Sequence, residues 1–463
     1  MDFVTYRLAC PQHPANHGKV QTCSGYAGWQ RGKTLVVEAF FCLVSYQCVA
    51  FYIRNTIHHR IVRIHLFSIL INFMTTKQFS VWLVLGTFAI LGSVGLFNRI
   101  VDPFWYYRDI EIKGFNAVKT KFSRYERHVK PSILVREQPE AIIMGRSYSE
   151  QGFDPTNPHF TDHGRLKSMN FALMGATWDM AECEFEFAVS HSHIKRILID
   201  LPPGDLPLAD CAKNFSSIGQ VSTANFLFSD TALKASIDTI LAQKNKMPSH
   251  TREGMYFPSQ GNSPGGYRFR EFFSNKIHEL RQSKRDVQCL KPADTSNTTD
   301  NLTSGKTLDL SGLQRMIKIT QNHNIELIMA VPPRHAYLLE LNRQCGEQDA
   351  NWQAMKQISE LIDAETAKGG QIRAYQFYGY NNITAEAVGA TPAIYWYDPE
   401  HFSIETGNMM LSDMFGESSP RLGRPLTSAS IDADYRDYLQ GRDEYLKHHP
   451  EFHANMQQLL RLE

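Results

Sequence analysis

Phe79 to Phe97 (FSVWLVLGTFAILGSVGLF) is a run of 19 residues without a charge. As a helix it is about 28 Å long, close to the ~30 Å hydrocarbon core of a bilayer, so it reads as a transmembrane span. Lys77 precedes it, and Asn98, Arg99 and Asp102 follow. No small-x-small cleavage site follows the run, and the chain continues as NRIVDPFWYY, so a retained anchor over 74–103 is expected rather than a signal peptide. Arg54, Arg60, Arg63 and Lys77 lie before the span and Arg99 after it, which favours a cytoplasmic N-terminus and an exported bulk of the chain. The lipid bilayer is thus the first expected partner.

The first 73 residues hold four of the eight cysteines and show no sustained period. From Met74, MTTKQFSVWLVLG has the form of an ordinary start: a short polar, basic leader, then the anchor. Translation is therefore expected to begin at Met74, with 1–73 an extension of doubtful status. Residues 35–53 (LVVEAFFCLVSYQCVAFYI) are weakened as a second span by Glu38 and Gln47. No Cys-x-x-Cys pair exists, and Cys183, Cys211, Cys289 and Cys345 are widely scattered, so buried or unpaired thiols are expected. Lys and Arg number 48 against 47 Asp and Glu, a balance that argues against nucleic acid as a partner.

Beyond the anchor, short apolar runs alternate with helical patterns. Strands are expected at 141–144, 168–173, 196–201, 325–331 and 372–377, and helices at 178–190, 309–322 and 349–365. The third and fourth runs are almost continuously apolar, as in parallel strands covered on both faces. This order predicts a three-layer α/β domain over 104–420 with a central parallel sheet of about five strands. Residues 245–306, rich in Ser, Asn, Thr, Gly and Pro, read as a surface insertion, a lid or substrate-facing loop. Residues 421–463 are charged and helical, a C-terminal cap.

Three polar clusters should gather at the carboxyl ends of the strands. In EAIIMGRSYSEQGFDP, Ser147 follows the first strand through Gly145, which leaves room for a tight turn. In NFALMGAT, Gly175 follows the second strand and can offer a bare N–H to an oxyanion. In YWYDPEHFS, Asp398 and His401 stand three apart around Pro399, a spacing that lets a carboxylate orient the imidazole. A serine needs such a base, held in the right tautomer, to act as a nucleophile. Ser403 reads as the N-cap of the next helix.

With these pieces, NRIVDPFWYY, IIMGRSYSEQGFDP, MNFALMGAT, ILIDLPPGDL, IELIMAVPPRHA and YWYDPEHFS, the chain resembles membrane-anchored bacterial envelope proteins of the SGNH (GDSL-type) hydrolase-like superfamily over about residues 79–411. The resemblance implies a flavodoxin-like sandwich, Ser147 as nucleophile, His401 as base, Asp398 as its partner, and the N–H groups of Gly175 and Ser147 as oxyanion donors. It also implies an Asn in a Gly-x-Asn-Asp context after the third strand, where this chain has DLPPGDL; Asn170 is the expected substitute. It implies no cofactor or metal, and a location in the bacterial inner membrane with the catalytic domain on the periplasmic or extracellular side.

Arg146 places a charge beside the serine, and His335 with Arg334 follows the fourth strand near the same rim. Trp396, between Tyr395 and Tyr397, flanks the Asp-x-x-His and is a candidate for stacking on sugar rings; hydrophobic packing is the competing role. His191 and His193 lack a nearby acid in the sequence, which argues against a metal pair. Asp154 and Pro155 shape the turn after the serine loop. Two functions compete. One is a serine acyl-ester hydrolase or O-acyltransferase acting on an envelope or extracellular glycan. The other is a silent module that binds polysaccharide or a partner protein in envelope assembly.

Overall fold

The structure is a computed structural model, and it describes residues 75–119, 121–215, 218, 222–244, 248–258, 265–285, 289, 306–416 and 422–460. The extension 1–73, the start at Met74, the run 35–53 and the basic residues Arg54, Arg60 and Arg63 lie outside the described residues. The chain divides after Thr87 into two units. Of the first, only the exposed start of the helix Thr76–Val101 is described. That helix is long and apolar enough to cross a membrane.

The second unit is α/β. Its strands are β1 (Ala141–Met144), β2 (Ser168–Asn170), β3 (Arg196–Asp200), β4 (Glu326–Val331), β5 (Ile372–Gln376) and β6 (Arg424–Pro425), in the order β2-β1-β3-β4-β5-β6. The first five are mutually parallel where they pair, and only the two-residue β6 is antiparallel. All five expected strands are present. The sixth, too short to carry a period, closes the β5 edge.

The apolar runs explain why the sheet sits in the middle. Successive side chains of a strand point to opposite faces. Ile142, Met144, Ile197, Ile199, Leu327 and Met329 enter one core; Ala141, Ile143, Leu198, Ile328 and Ala330 enter the other. The first core is covered by the helices Phe122–Glu137, Trp178–His191, Ser311–His323, Gln348–Thr366 and Ile431–His448. The second is covered by Gly265–Gln282, Ala336–Gln344, Ile404–Met414 and Phe452–Leu460. Only a sheet with both faces buried can use uninterrupted apolar strands without exposing half of them.

Two expectations are corrected. Part of the stretch 245–306 is an 18-residue helix, Gly265–Gln282, whose Phe269, Phe273, Ile277 and Leu280 are buried at helical spacing in the second core. That part is scaffold rather than lid. The four scattered cysteines are not free thiols: Cys183 pairs with Cys211 and Cys289 with Cys345.

Candidate active site

The site forms at the carboxyl ends of β1 to β4. After Met144 the chain turns at Gly145, whose φ is +114°. A Cβ there would meet Asp200 Oδ1 at 1.9 Å, so both the backbone angle and the neighbouring carboxylate require glycine. The turn delivers Ser147 as the first residue of the short helix Ser147–Gly152. The ladder from β1 continues past β2, with Phe171 N donating to Ile143 O at 2.7 Å and Leu173 N to Gly145 O at 3.1 Å. Gly175, exposed at φ +62°, therefore lies on the loop that runs beside the serine turn.

The third cluster is a hairpin tip. Trp396 bridges Phe402, and Tyr397 N donates to His401 O at 2.8 Å, leaving Asp398 to His401 as the turn. Asp398 Oδ1 accepts N–H bonds from Glu400 at 2.8 Å and His401 at 2.9 Å, which fixes the carboxylate. His401 Nδ1 lies 2.8 Å from Asp398 Oδ2, and its Nε2 lies 2.8 Å from Ser147 Oγ. An Nδ1–H donated to the carboxylate leaves Nε2 as the acceptor of the serine proton. Burial pushes the Asp398 carboxyl up, but the His401 charge, its hydrogen bond and the two backbone donors more than offset that, and its pKa falls below 3.8.

Two further networks hold this arrangement. Tyr148, the residue after Ser147, donates its hydroxyl to Glu400, the residue before His401. Arg334, just past β4, donates to the same Glu400 oxygen at 2.9 Å and stacks over the Tyr148 ring at 4.3 Å. The Tyr148 ring in turn stacks on His401 with centroids 5.3 Å apart. The second network centres on Asp200 at the end of β3, which accepts from Arg146 N (2.6 Å), Arg146 Nε (2.9 Å) and Ser149 Oγ (2.8 Å). The helices themselves meet at glycines: a Cβ on Gly407 would lie 1.7 Å from Gly152 O. Arg334 was expected at this rim beside His335, but none of Tyr148, Glu400, Gly152 or Gly407 stands out as a site residue in the sequence. The one signal is that Tyr148 and Glu400 each adjoin a residue that does.

Several expected site residues have other work. Asn170 is fully buried; its amide donates to Ser149 O at 2.9 Å and Phe153 O at 3.1 Å, and its Oδ1 accepts from Ala172 N at 3.2 Å. It stitches β2 to the helix Ser147–Gly152, and its donors are not available to an oxyanion. His335 is 1% exposed rather than at the rim. Its Nδ1 accepts from Tyr337 N at 3.2 Å, so Nε2 carries the proton and donates to Glu386 O at 3.0 Å. Trp396 is 2% exposed, with Nε1 donating to Ile383 O at 2.7 Å, so packing, not sugar stacking, is its role. Arg146 stays beside the serine, and its Nη2 is buried without a hydrogen-bond partner. Ser403 does precede the helix Ile404–Met414, but its hydroxyl donates to Ile394 O rather than capping.

No protein-family model matches the chain, and no curated protein matches it either. The site therefore stands on its own geometry.

Among the described residues, one set of metal-ligand types gathers, buried around Glu150 of the helix Ser147–Gly152: Glu126, Glu150 and His250. Lys130 Nζ lies 2.7 Å from Glu150 Oε1 and also donates to Ala172 O, while His250 Nε2 lies 3.1 Å from Glu150 and 3.3 Å from Glu126. The ammonium supplies the positive charge these carboxylates need, so the cluster reads as a structural ion group rather than a metal centre. Met174 N donates to Glu126 at 3.2 Å, tying the group to the Gly175 loop. His191 and His193 belong to no such set among the described residues.

Burial of neutral His335 has a pH consequence. Desolvation pushes its pKa down to about 4 from 6.5. Between those values the unfolded chain binds a proton that the native chain does not, so stability rises with pH there. Acidification from pH 7 to 4 should remove about 3 kcal/mol through this residue. Urea melts of the wild type and His335→Asn across that range should show a shallower pH slope in the variant.

Proposed function

We propose that the chain is a single-pass membrane protein whose α/β unit is an SGNH (GDSL-type) serine acyl-ester hydrolase or O-acyltransferase with a flavodoxin-like sandwich. The observation that carries this reading is the unbroken hydrogen-bonded chain Ser147–His401–Asp398, assembled from positions 254 residues apart. The parallel order β2-β1-β3-β4-β5 agrees with the flavodoxin-like arrangement. Two disulfides fit a unit on the oxidising side of the membrane, and an envelope or extracellular glycan is the substrate class that such a location and the resemblance favour.

In this mechanism His401 Nε2 takes the Ser147 proton as Oγ attacks the acyl carbon. The N–H groups of Ser147 and Gly175 receive the oxyanion. His401 then returns the proton to the departing alcohol, leaving an acyl-serine. Water or a sugar hydroxyl, deprotonated by the same imidazole, attacks that ester and frees Ser147. With Asn170 engaged elsewhere, Arg146, the residue before Ser147, adds a cation whose Nη2 has no hydrogen-bond partner.

The engaged Asn170 favours a second reading, the silent module that binds polysaccharide or a partner protein, because a missing oxyanion donor costs about 3 kcal/mol of transition-state stabilisation. A fluorophosphonate probe decides between them. Stoichiometric labelling of the wild-type chain supports the esterase; no labelling together with no turnover of any acyl ester leaves the silent module.

Within the esterase reading, Tyr148 holds the base loop to the nucleophile helix. Tyr148→Phe removes the tie to Glu400 and should lower kcat about tenfold with KM nearly unchanged, since small misplacement of reacting groups costs rate rather than binding. Steady-state kinetics on p-nitrophenyl acetate check this.

A further inference from the structure

From Phe88 on, the helix Thr76–Val101 belongs to the α/β unit. Gly95, Asn98 and Val101 are buried within that unit. Asn98 Nδ2 donates to Leu227 O at 2.7 Å and its Oδ1 accepts from Ser236 Oγ at 2.7 Å. Phe228 packs on Gly95, where even a methyl group would lie 2.5 Å from the ring. The apolar run ends at Phe97, so Phe228 sits about 3 Å short of its end along the axis.

Phe228 is also the tip of a wedge. It ends the helix Thr223–Phe228, and the helix Asp230–Ala242 begins two residues later. Both arms lead the same way from it. Tyr106 and Thr223 hydroxyls are 3.3 Å apart, which places the start of the first arm beside a residue past the anchor helix. Ser236 is at Asn98, and Gln243 Nε2 reaches Val118 O at 3.0 Å, so the second arm follows the chain away from the apolar run. Yet Phe228 is 48% exposed.

Length supplies the partner. The stretch left for lipid before Gly95 is Phe79–Val94, 16 residues or about 24 Å, against a hydrocarbon core of ~30 Å. A shortfall of this kind is met by thinning the bilayer or by sinking the flanking surface into it. We infer that the 223–242 wedge is a membrane-contact element, with Phe228 immersed at the acyl-chain boundary and Tyr106 and Tyr107 at headgroup level, where tyrosines concentrate. The α/β unit thereby touches the bilayer through residues of its own.

This inference rests on the reading that the helix spans a membrane, and the test separates the two. The full chain, in phosphatidylcholine vesicles, carries photoreactive p-benzoylphenylalanine in place of Leu83, Phe228 or Tyr267, the last being exposed on a different helix. After irradiation, mass spectrometry should find lipid adducts at 83 and 228 and none at 267. Adducts at 83 without any at 228 overturn the wedge while leaving the span intact; none at either overturns both. Should the 228 variant fail to fold, Phe228→Trp replaces it. Vesicles brominated high on the acyl chain should then quench its fluorescence beyond that of the parent chain, and equal quenching overturns the inference.

Discussion

Ser147→Ala should abolish fluorophosphonate labelling and lower kcat/KM on p-nitrophenyl acetate by about 10⁴-fold or more, and His401→Ala should cost nearly as much, because nucleophile and base act as a unit. The geometry explains the equality. Ser147 Oγ has its proton acceptor in His401 Nε2 at 2.8 Å, and without that imidazole the hydroxyl stays protonated at neutral pH. Asp398→Ala should leave more activity, about 10²-fold above the other two, since Asp398 orients the base and does not itself exchange a proton with substrate. Equal activity in the wild type and Ser147→Ala would mean that the measured turnover arises elsewhere and would remove the esterase reading.

The largest stability effect should come from Lys130→Met. Lys130 and Glu150 are both fully buried, and the ammonium also faces His250 and Glu126 through Glu150. Burial pushes the Glu150 carboxyl up, while Lys130, His250 and Glu126 hold it below its ordinary value; Glu126 is raised, chiefly by burial. Removing one partner of a buried pair costs about 3–5 kcal/mol, because the remaining charge loses its compensation. The pH dependence should change sign. In the wild type, the depressed Glu150 pKa contributes stability above about 4.5 that is lost as pH falls. In Lys130→Met, Glu150 titrates above that value and the native state binds the extra proton, so acidification should recover part of the loss. Urea melts of both proteins in detergent at pH 7 measure the loss, melts stepped from about pH 7 down to about pH 3 measure the change of sign, and a loss below about 1 kcal/mol at pH 7 would show that the pair is not compensating buried charge.

Local signals in the sequence identified what depends on local chemistry. Four- to six-residue apolar runs are too short for most helices and suit strands buried on both faces, and 19 uncharged residues suit lipid better than water, so β1, β3, β4 and the anchor helix were legible. Gly145 before Ser147, and Asp398 three before His401, are short-range devices, a turn and a carboxylate–imidazole pair, so three members of the proton chain could be named without a fold.

Groups whose role depends on a distant partner could not be read that way. Asn170 looks like any strand-end amide until the helix at 147–152 arrives to consume its donors. His335 and Trp396 look like rim residues until Phe269 and its helix cover them, and that helix was hidden by the Gly- and Ser-rich sequence around its regular apolar spacing. Nothing local in the sequence marks Lys130, Glu126 and Glu150 as a buried group, because only their mutual neutralisation permits burial. Cysteine spacing carries no geometry, so the pairs 183–211 and 289–345 needed the folded chain. The distance from Ser147 to His401 is itself such a quantity. It is set by Gly152 against Gly407 and by Tyr148 on Glu400, contacts between segments some 250 residues apart, and by Arg334 on the same Glu400 from 66 residues away, all of which exist only after the sheet has brought them to one edge.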